Sequence, residues 1–365
     1  MRRAALAAIA FVVFGAARSA ASGQELGPLD HYDRGVAALE AKKPEQATAE
    51  LALAAVELPG EPEVLYALAK ARALSGDSAG ALRMLGRVVA MGYGAGAAAD
   101  PAFASLTALP KFRTLAPSIA ENEKPIVNAA PAFTIPEADL IPEGIAWDPK
   151  TRTLFLGSLA KKKIVAVAPD AAVRDFVPSG CDGLPLVLGM KVDGDGKSLW
   201  ACTAEGDPAE GASPTRHAWL YRFDLATGKT LGKFPSPEGG KHLFNDLALA
   251  KGGDVYLTDS EEGSVYRLRA GADAVERLLP AGSFVYPNGI ALSDDGRWLY
   301  VAHAAGITVR DLSTGSLFPL SAPEDVSLSG IDGLSFWRGA LIGVQNGTRP
   351  HRVVLFALAP SLDRV

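Results

Sequence analysis

One phrase, Tyr286 to His303, limits what this chain can become more than any other. Asn288 opens an apolar run from Gly289 to Leu292, an Asp294-Asp295-Gly296 turn follows, and a second apolar run extends from Trp298 to Ala302. Apolar runs on either side of an Asp-Gly turn are the strongest short-range signal for a β-hairpin. The phrase recurs. Its opening aligns with Glu143-Gly144-Ile145-Ala146-Trp147, Leu188-Gly189-Met190-Lys191-Val192, Asn245-Asp246-Leu247-Ala248-Leu249 and Asp332-Gly333-Leu334-Ser335-Phe336, at spacings of 45, 57, 43 and 44 residues. A second strand follows each opening, as at Leu199-Trp200-Ala201 and Leu299-Tyr300-Val301, and a third often follows that. A period near 43 residues with three or four strands per unit is a propeller blade. The longer step contains an insertion, Glu205 to Arg216, which reads as a surface loop.

Five units fit between Ile135 and Val365, and the fifth runs out at its last strand. The expectation is a β-propeller over residues 132–365, either a five-bladed ring or, as the resemblance given below implies, one of the six-bladed type lacking most of its last blade. Residues 28–120 have a different texture, rich in Ala, Leu and Glu with turn signals at Lys43-Pro44, Leu58-Pro59-Gly60 and Ser75-Gly76-Asp77. Gly35 returns as Ala69, Ala47 as Ala81, Leu51 as Leu85 and Ala54 as Val88, a step of 34 residues. This all-helical region resembles the tetratricopeptide repeat, whose period is 34. Phe103, Leu106 and Phe112 are placed to cover its open end. Such a region implies either a protein partner or a helical cap on the second domain. Residues 121–131 form a Pro-containing linker.

Charge and leader bound the setting. The net charge is −5 and hydrophobic residues make up 48% of the chain, so a large core can form and no basic surplus points to nucleic acid. Met1-Arg2-Arg3, an apolar run from Ala4 to Ala17 and small residues at Ser19 to Ser22 make residues 1–22 a secretory signal peptide. That run is short for a span of about 20 residues, so a soluble periplasmic or secreted protein of bacterial type is expected, with no stable membrane insertion after cleavage. An oxidising compartment permits the single pairing Cys181–Cys202; the other reading is two buried small apolar residues.

The opening positions carry the chemistry. In a propeller the first strand of every blade lines the central channel, so Glu143, Leu188, Asn245, Asn288 and Asp332 converge although they are far apart in sequence. Asn and Asp before Gly are also common turn residues. Four oxygen-bearing groups at one phase of a repeat nevertheless suit a hard divalent cation completed by water.

Ile141-Pro142-Glu143-Gly144, Phe244-Asn245-Asp246, Tyr286 to Ser293 and Ile331-Asp332-Gly333-Leu334 resemble the motifs of the family containing senescence marker protein (regucalcin), gluconolactonases and luciferin-regenerating enzyme. The resemblance covers residues 135–365. It implies a six-bladed propeller with one divalent metal in its channel, calcium first and zinc, manganese or magnesium as alternatives, that hydrolyses a lactone or ester. It makes Glu143, Asn288 and Asp332 metal ligands, lets Asn245 touch metal or substrate, and makes Asp332 the general base. Sugar-lactone members carry an Arg two residues before Asn245, where this chain has Leu243. An aliphatic residue cannot make the bidentate contact of a guanidinium, so a more apolar or uncharged substrate is expected. His242 and Arg349 are further candidates for substrate contact, Arg349 as a replacement for that guanidinium. The leading expectation is an exported metal-dependent hydrolase. The alternative is a non-catalytic propeller that binds a ligand or protein, with the helical repeats as docking surface.

Overall fold

The computed structural model describes residues 28–94, 96–206 and 215–365. The expected leader at residues 1–22 and most of the 205–216 insertion lie outside the described residues.

The chain begins with α1 (Pro28–Glu40), α2 (Pro44–Glu57), α3 (Pro62–Leu74), α4 (Ser78–Ala90) and, after a 3-10 turn at Pro101–Leu106, α5 (Pro110–Asn122). Proline opens α2, α3 and α5, where the absent N–H would have no helical acceptor anyway. Asp77 caps α4 by accepting from the Gly80 N–H at 2.8 Å. Pro28 to Pro62 and Pro44 to Ser78 are both steps of 34 residues, so the helix pair itself repeats. Gly35 lets α2 approach α1 closely: a Cβ there would fall 2.4 Å from Leu51 Cγ. Phe103, Leu106 and Phe112 are buried against Ala69, Ala81 and Leu85 and close the end of the second pair.

Five antiparallel sheets follow. They comprise β1–β4 (Pro142–Asp148, Thr153–Ser158, Ile164–Val167, Val173–Val177), β5–β8 (Leu186–Val192, Ser198–Ala204, Ala218–Asp224, Thr230–Pro235) and β9–β12 (Phe244–Leu249, Val255–Asp259, Ser264–Leu268, Glu276–Leu279). After them come β13–β16 (Ile290–Leu292, Trp298–His303, Gly306–Asp311, Leu317–Pro319) and a three-stranded β17–β19 (Ile331–Trp337, Ala340–Gln345, Arg352–Ala357). Each is a meander with its inner strand first, the topology of a propeller blade.

The core lies between blades. Side chains alternate across a strand, so Leu299 and Val301 join an apolar cluster with Tyr256 and Val265 of the third blade, while Tyr300 and Ala302 join one with Leu334, Leu341 and Phe356 of the fifth. Two further clusters join blades one and two, around Phe155, Met190 and Tyr221, and blades two and three, around Trp200, Leu257 and Tyr266. Each fully buried aliphatic or aromatic side chain at these seams contributes about 1.5–3 kcal/mol. Where the inner strands meet, the glycine after the opening position removes a Cβ that would clash. At Gly144 it would fall 2.0 Å from Leu188 O, and at Gly289 2.6 Å from Leu334 N.

Four seams join five blades, and the described sheets form an arc. Gly333 has the same phase on the fifth blade, yet a Cβ there would meet only Val344 of its own blade, at 3.7 Å. Blade one leaves Ile145 and Trp147 exposed, and blade five leaves Val344, Val353 and Leu355 exposed. The expected six-bladed form is therefore represented by five sheets, and no sixth sheet occurs among the described residues. Both cysteines are free: Cys202 is buried in the second seam and Cys181 packs at the first. They behave as the small apolar residues of the second reading.

The helical region docks on blade five. Ser327 Oγ donates to Gly60 O at 2.8 Å, and Arg352 donates to Met91 O at 3.1 Å. The Arg352 guanidinium also stacks 4.2 Å from the centre of the Tyr93 ring. These contacts lie at the end of the propeller where β17 begins and β18 finishes.

Candidate functional site

That same end carries the opening positions. Four inner strands shift register there: between Pro142 and Ile145, Val187 and Met190, Phe244 and Leu247, and Ile331 and Gly333. A bulge adds a residue on one strand and re-aims its side chain, so a position in the sheet register turns toward the axis. Ile141 and Tyr286 take left-handed φ values of 44° and 53°. Each precedes a proline and then a candidate ligand, Glu143 or Asn288. A β-branched residue held in that region is costly and persists only where its surroundings impose it.

The structure brings Glu143, Asn288 and Asp332 together. The Asn288 amide donates to Asp332 Oδ1 at 2.7 Å. Burial, then the charges of Asp332 and Asp246, push the Glu143 carboxyl well above the usual carboxylate range. Glu143 Oε2 is buried with no hydrogen-bond partner. Asn245 is 5% exposed and lies one bond further out; its amide donates to Ser260 Oγ at 2.9 Å, and that hydroxyl donates to Pro287 O at 2.6 Å, next to Asn288. Leu188 and Leu243 are buried in the second seam beside Phe244.

Three residues that the repeat reading did not assign belong to this cluster. Asp246 accepts from Leu247 N and from Ile290 N of the next blade, at 2.8 and 3.2 Å. Burial raises its pKa, and Lys191 and these two N–H donors oppose the rise. Its signal was available: it stands where the other four units have glycine. Asn346, in the β18–β19 loop, donates to Asp332 Oδ2 at 2.7 Å, so each Asp332 oxygen is held by one amide. Lys191 of blade two reaches Ser335 of blade five at 3.4 Å, one layer deeper in the channel.

Two residues read as substrate contacts are placed elsewhere. His242 is 3% exposed, with Nδ1 2.6 Å from Asp259 Oδ2 and Nε2 3.0 Å from Gly239 O. Both partners accept, which suits the doubly protonated ring; burial opposes the charge but the Asp259 carboxylate outweighs it and raises the pKa. Arg349 lies against Glu63 of α3, toward which its backbone N–H donates. Asp259, His242 and Glu262 offer ligand atoms within 4.8 Å of one another, a possible metal site. Their atoms are already engaged. Asp259 Oδ1 accepts from Leu243 N, and Glu262 accepts from Ser264, Tyr266 and Arg277. This group reads as a clamp between the second strand of its blade and the loop entering the first. Gln345 does the same in blade five by donating to Ser327 O and Ser329 O.

Three buried or half-buried carboxylates facing one ammonium leave an excess of negative charge, and an orphaned oxygen in its midst fits a divalent cation. The class is thus a β-propeller with an acid-lined mouth. Residues 141–315 match the family model described as SMP-30/Gluconolactonase/LRE-like region. Among solved structures, a gluconolactonase from Xanthomonas campestris is similar at 22% identity, covering 60% of this chain and 76% of its own, with a TM-score of 0.41. A putative gluconolactonase is similar at 19% identity over 60% of this chain and 78% of its own, TM-score 0.42. Virginiamycin B lyase from Staphylococcus aureus is similar at 17% identity over 62% and 74%, TM-score 0.45. No curated protein matches the chain.

Proposed function

We propose that the chain is an exported, divalent-cation-dependent hydrolase of lactone or ester bonds. The observation that carries this is the unpartnered Glu143 Oε2 beside Asp332 and Asp246, next to the Asn288 amide. Glu143, Asn288 and Asp332 would hold the cation, calcium first among the candidates, with Asn245 close by. A bound cation supplies polarisation of the scissile carbonyl and a lower pKa for water. Asp332 takes the proton of the attacking water at a lone pair that its two amide donors leave free. Asn288 and Asn346 keep that carboxylate in one orientation while the proton moves. Leu243, buried in the seam, leaves no guanidinium there to hold a sugar lactone, which supports a less polar substrate. The uncovered faces of blades one and five support a six-bladed geometry with one position not filled by a sheet, and the 34-residue helix repeat supports a tetratricopeptide-like docking module.

The test is divalent-cation titration of the purified protein with a lactone and ester panel, repeated on Asp332→Ala. Cation binding with hydrolysis that Asp332→Ala abolishes is the expected result; absence of cation binding overturns the channel reading. One observation favours a second reading, a cation-pinned binding module: Leu243 is 3% exposed in the seam, so no guanidinium stands at that place. Cation binding without hydrolysis across the panel would select it.

A further inference from the structure

The helical region touches the site through two short segments. The first, Ser327 to Gly330, leads into Asp332. The second, Gln345 to Arg349, contains Asn346. Gly347 N donates to Gly330 O at 3.1 Å and Gln345 bonds Ser327 and Ser329, so the two segments form one unit. Tyr93, which follows α4 and is 2% exposed, seats its hydroxyl on that unit, 3.0 Å from Thr348 Oγ1 and 3.4 Å from Gln345 Oε1. Gly60 accepts from Ser327, Glu61 bonds Ser329, and Glu63 accepts from the Arg349 N–H. Apart from the Arg352 contacts with Met91 and Tyr93, these helical contacts fall within five residues of Asp332 or three of Asn346.

We propose that the helical region is a positioning part of the catalytic mouth: Tyr93 holds the 345–349 loop, the loop presents Asn346, and Asn346 orients Asp332. A partner bound to the helices would then act on the mouth by shifting Tyr93, with no contact to substrate. Asn346 and Tyr93 are positioning residues. The inference rests on the cation reading for its consequence at Asp332, but not for the coupling of helices to loop.

The experiment compares wild type, Tyr93→Phe and Asn346→Ala in the full chain by backbone hydrogen exchange and by calcium and manganese titration. Tyr93→Phe keeps the ring beneath Arg352 and removes only the hydroxyl, so the fold should survive, with exchange in blades one to three as the control. Expected for Tyr93→Phe is faster exchange confined to residues 327–334 and 345–349, with cation affinity several-fold weaker. Expected for Asn346→Ala is an affinity loss of about 10–100-fold, the usual range for a residue that orients a metal ligand. The double variant should bind no more weakly than Asn346→Ala alone, because both act through one contact. Unchanged exchange in Tyr93→Phe overturns the coupling. Faster exchange with unchanged cation affinity overturns the positioning of Asp332. If wild type binds neither cation, the reading of the mouth fails, and the exchange data alone decide whether the helices hold the loop.

Discussion

The amide of Asn288 donates to Oδ1 of Asp332 at 2.7 Å, joining the openings of two successive blades across the mouth. The pair leaves Glu143 as the acid with no donor of its own. A cation that binds only the folded mouth stabilises by mass action, about 2.7 kcal/mol at a hundredfold excess over Kd. Melting measured with and without added calcium should show a rise of a few degrees in wild type and none in Glu143→Gln or Asp332→Ala. A wild-type melting temperature indifferent to every divalent cation would remove the basis for the proposed mechanism.

The seams give a prediction independent of chemistry. A Cβ at Gly189 would fall 2.6 Å from Asp246 Oδ1 and 2.7 Å from Asn245 O, where the backbone has nowhere to go. Gly189→Ala should cost about 1–3 kcal/mol by overpacking. Gly333→Ala, at the same phase but facing only Val344 at 3.7 Å, should be close to neutral. Denaturant unfolding of the two variants checks this. Equal losses would mean that another element packs on Gly333 in solution.

Blade starts were legible because a propeller repeats both its turn and its strand alternation, so Asn288 and Asp332 share a phase that a reader can align. Asp246 was legible too, as the one acid in a column of glycines. Asn346 was not: it sits in an irregular loop, and its bond to Asp332 depends on how that loop folds back over Gly330. His242 drew attention as a histidine near a motif, but its role depends on Asp259 at the far end of the adjacent strand. The contact of Tyr93 with Thr348 joins two unrelated periodicities, and neither repeat points to the other.

The buried His242 and the half-buried His303 titrate in opposite senses. His303 donates or accepts with Thr308 Oγ1 at 2.8 Å, accepts from Ala305 N and packs 4.8 Å from Phe284; burial lowers its pKa to about 4. The unfolded chain takes up that proton first, near pH 6.5. Its contribution to stability is therefore complete above about pH 6.5 and is lost as pH falls toward 4. His242 is raised, so its contribution is complete below about pH 6.5 and lost as pH rises through its folded value. Melting temperature against pH should be flatter on the acid side in His303→Gln than in wild type, and flatter on the alkaline side in His242→Gln. Parallel profiles for either variant would contradict the assigned protonation state.

Leu243 stands where the resemblance expects an Arg in sugar-lactone members, and its surroundings predict what placing an Arg there would do. The side chain is 3% exposed among Leu188, Trp200 and Phe244, while its N–H donates to Asp259 Oδ1 at 3.0 Å. Asp259 is already committed to His242, so a guanidinium placed there would enter an apolar seam without a carboxylate to itself. An unpaired buried charge costs about 3–5 kcal/mol, and Leu243→Arg should lower the melting temperature sharply without conferring hydrolysis of sugar lactones. Leu243→Met, similar in volume, should cost under about 1.5 kcal/mol. If Leu243→Arg instead melts like wild type and gains sugar-lactone hydrolysis, the position faces the mouth, and the apolar preference proposed for the substrate is withdrawn.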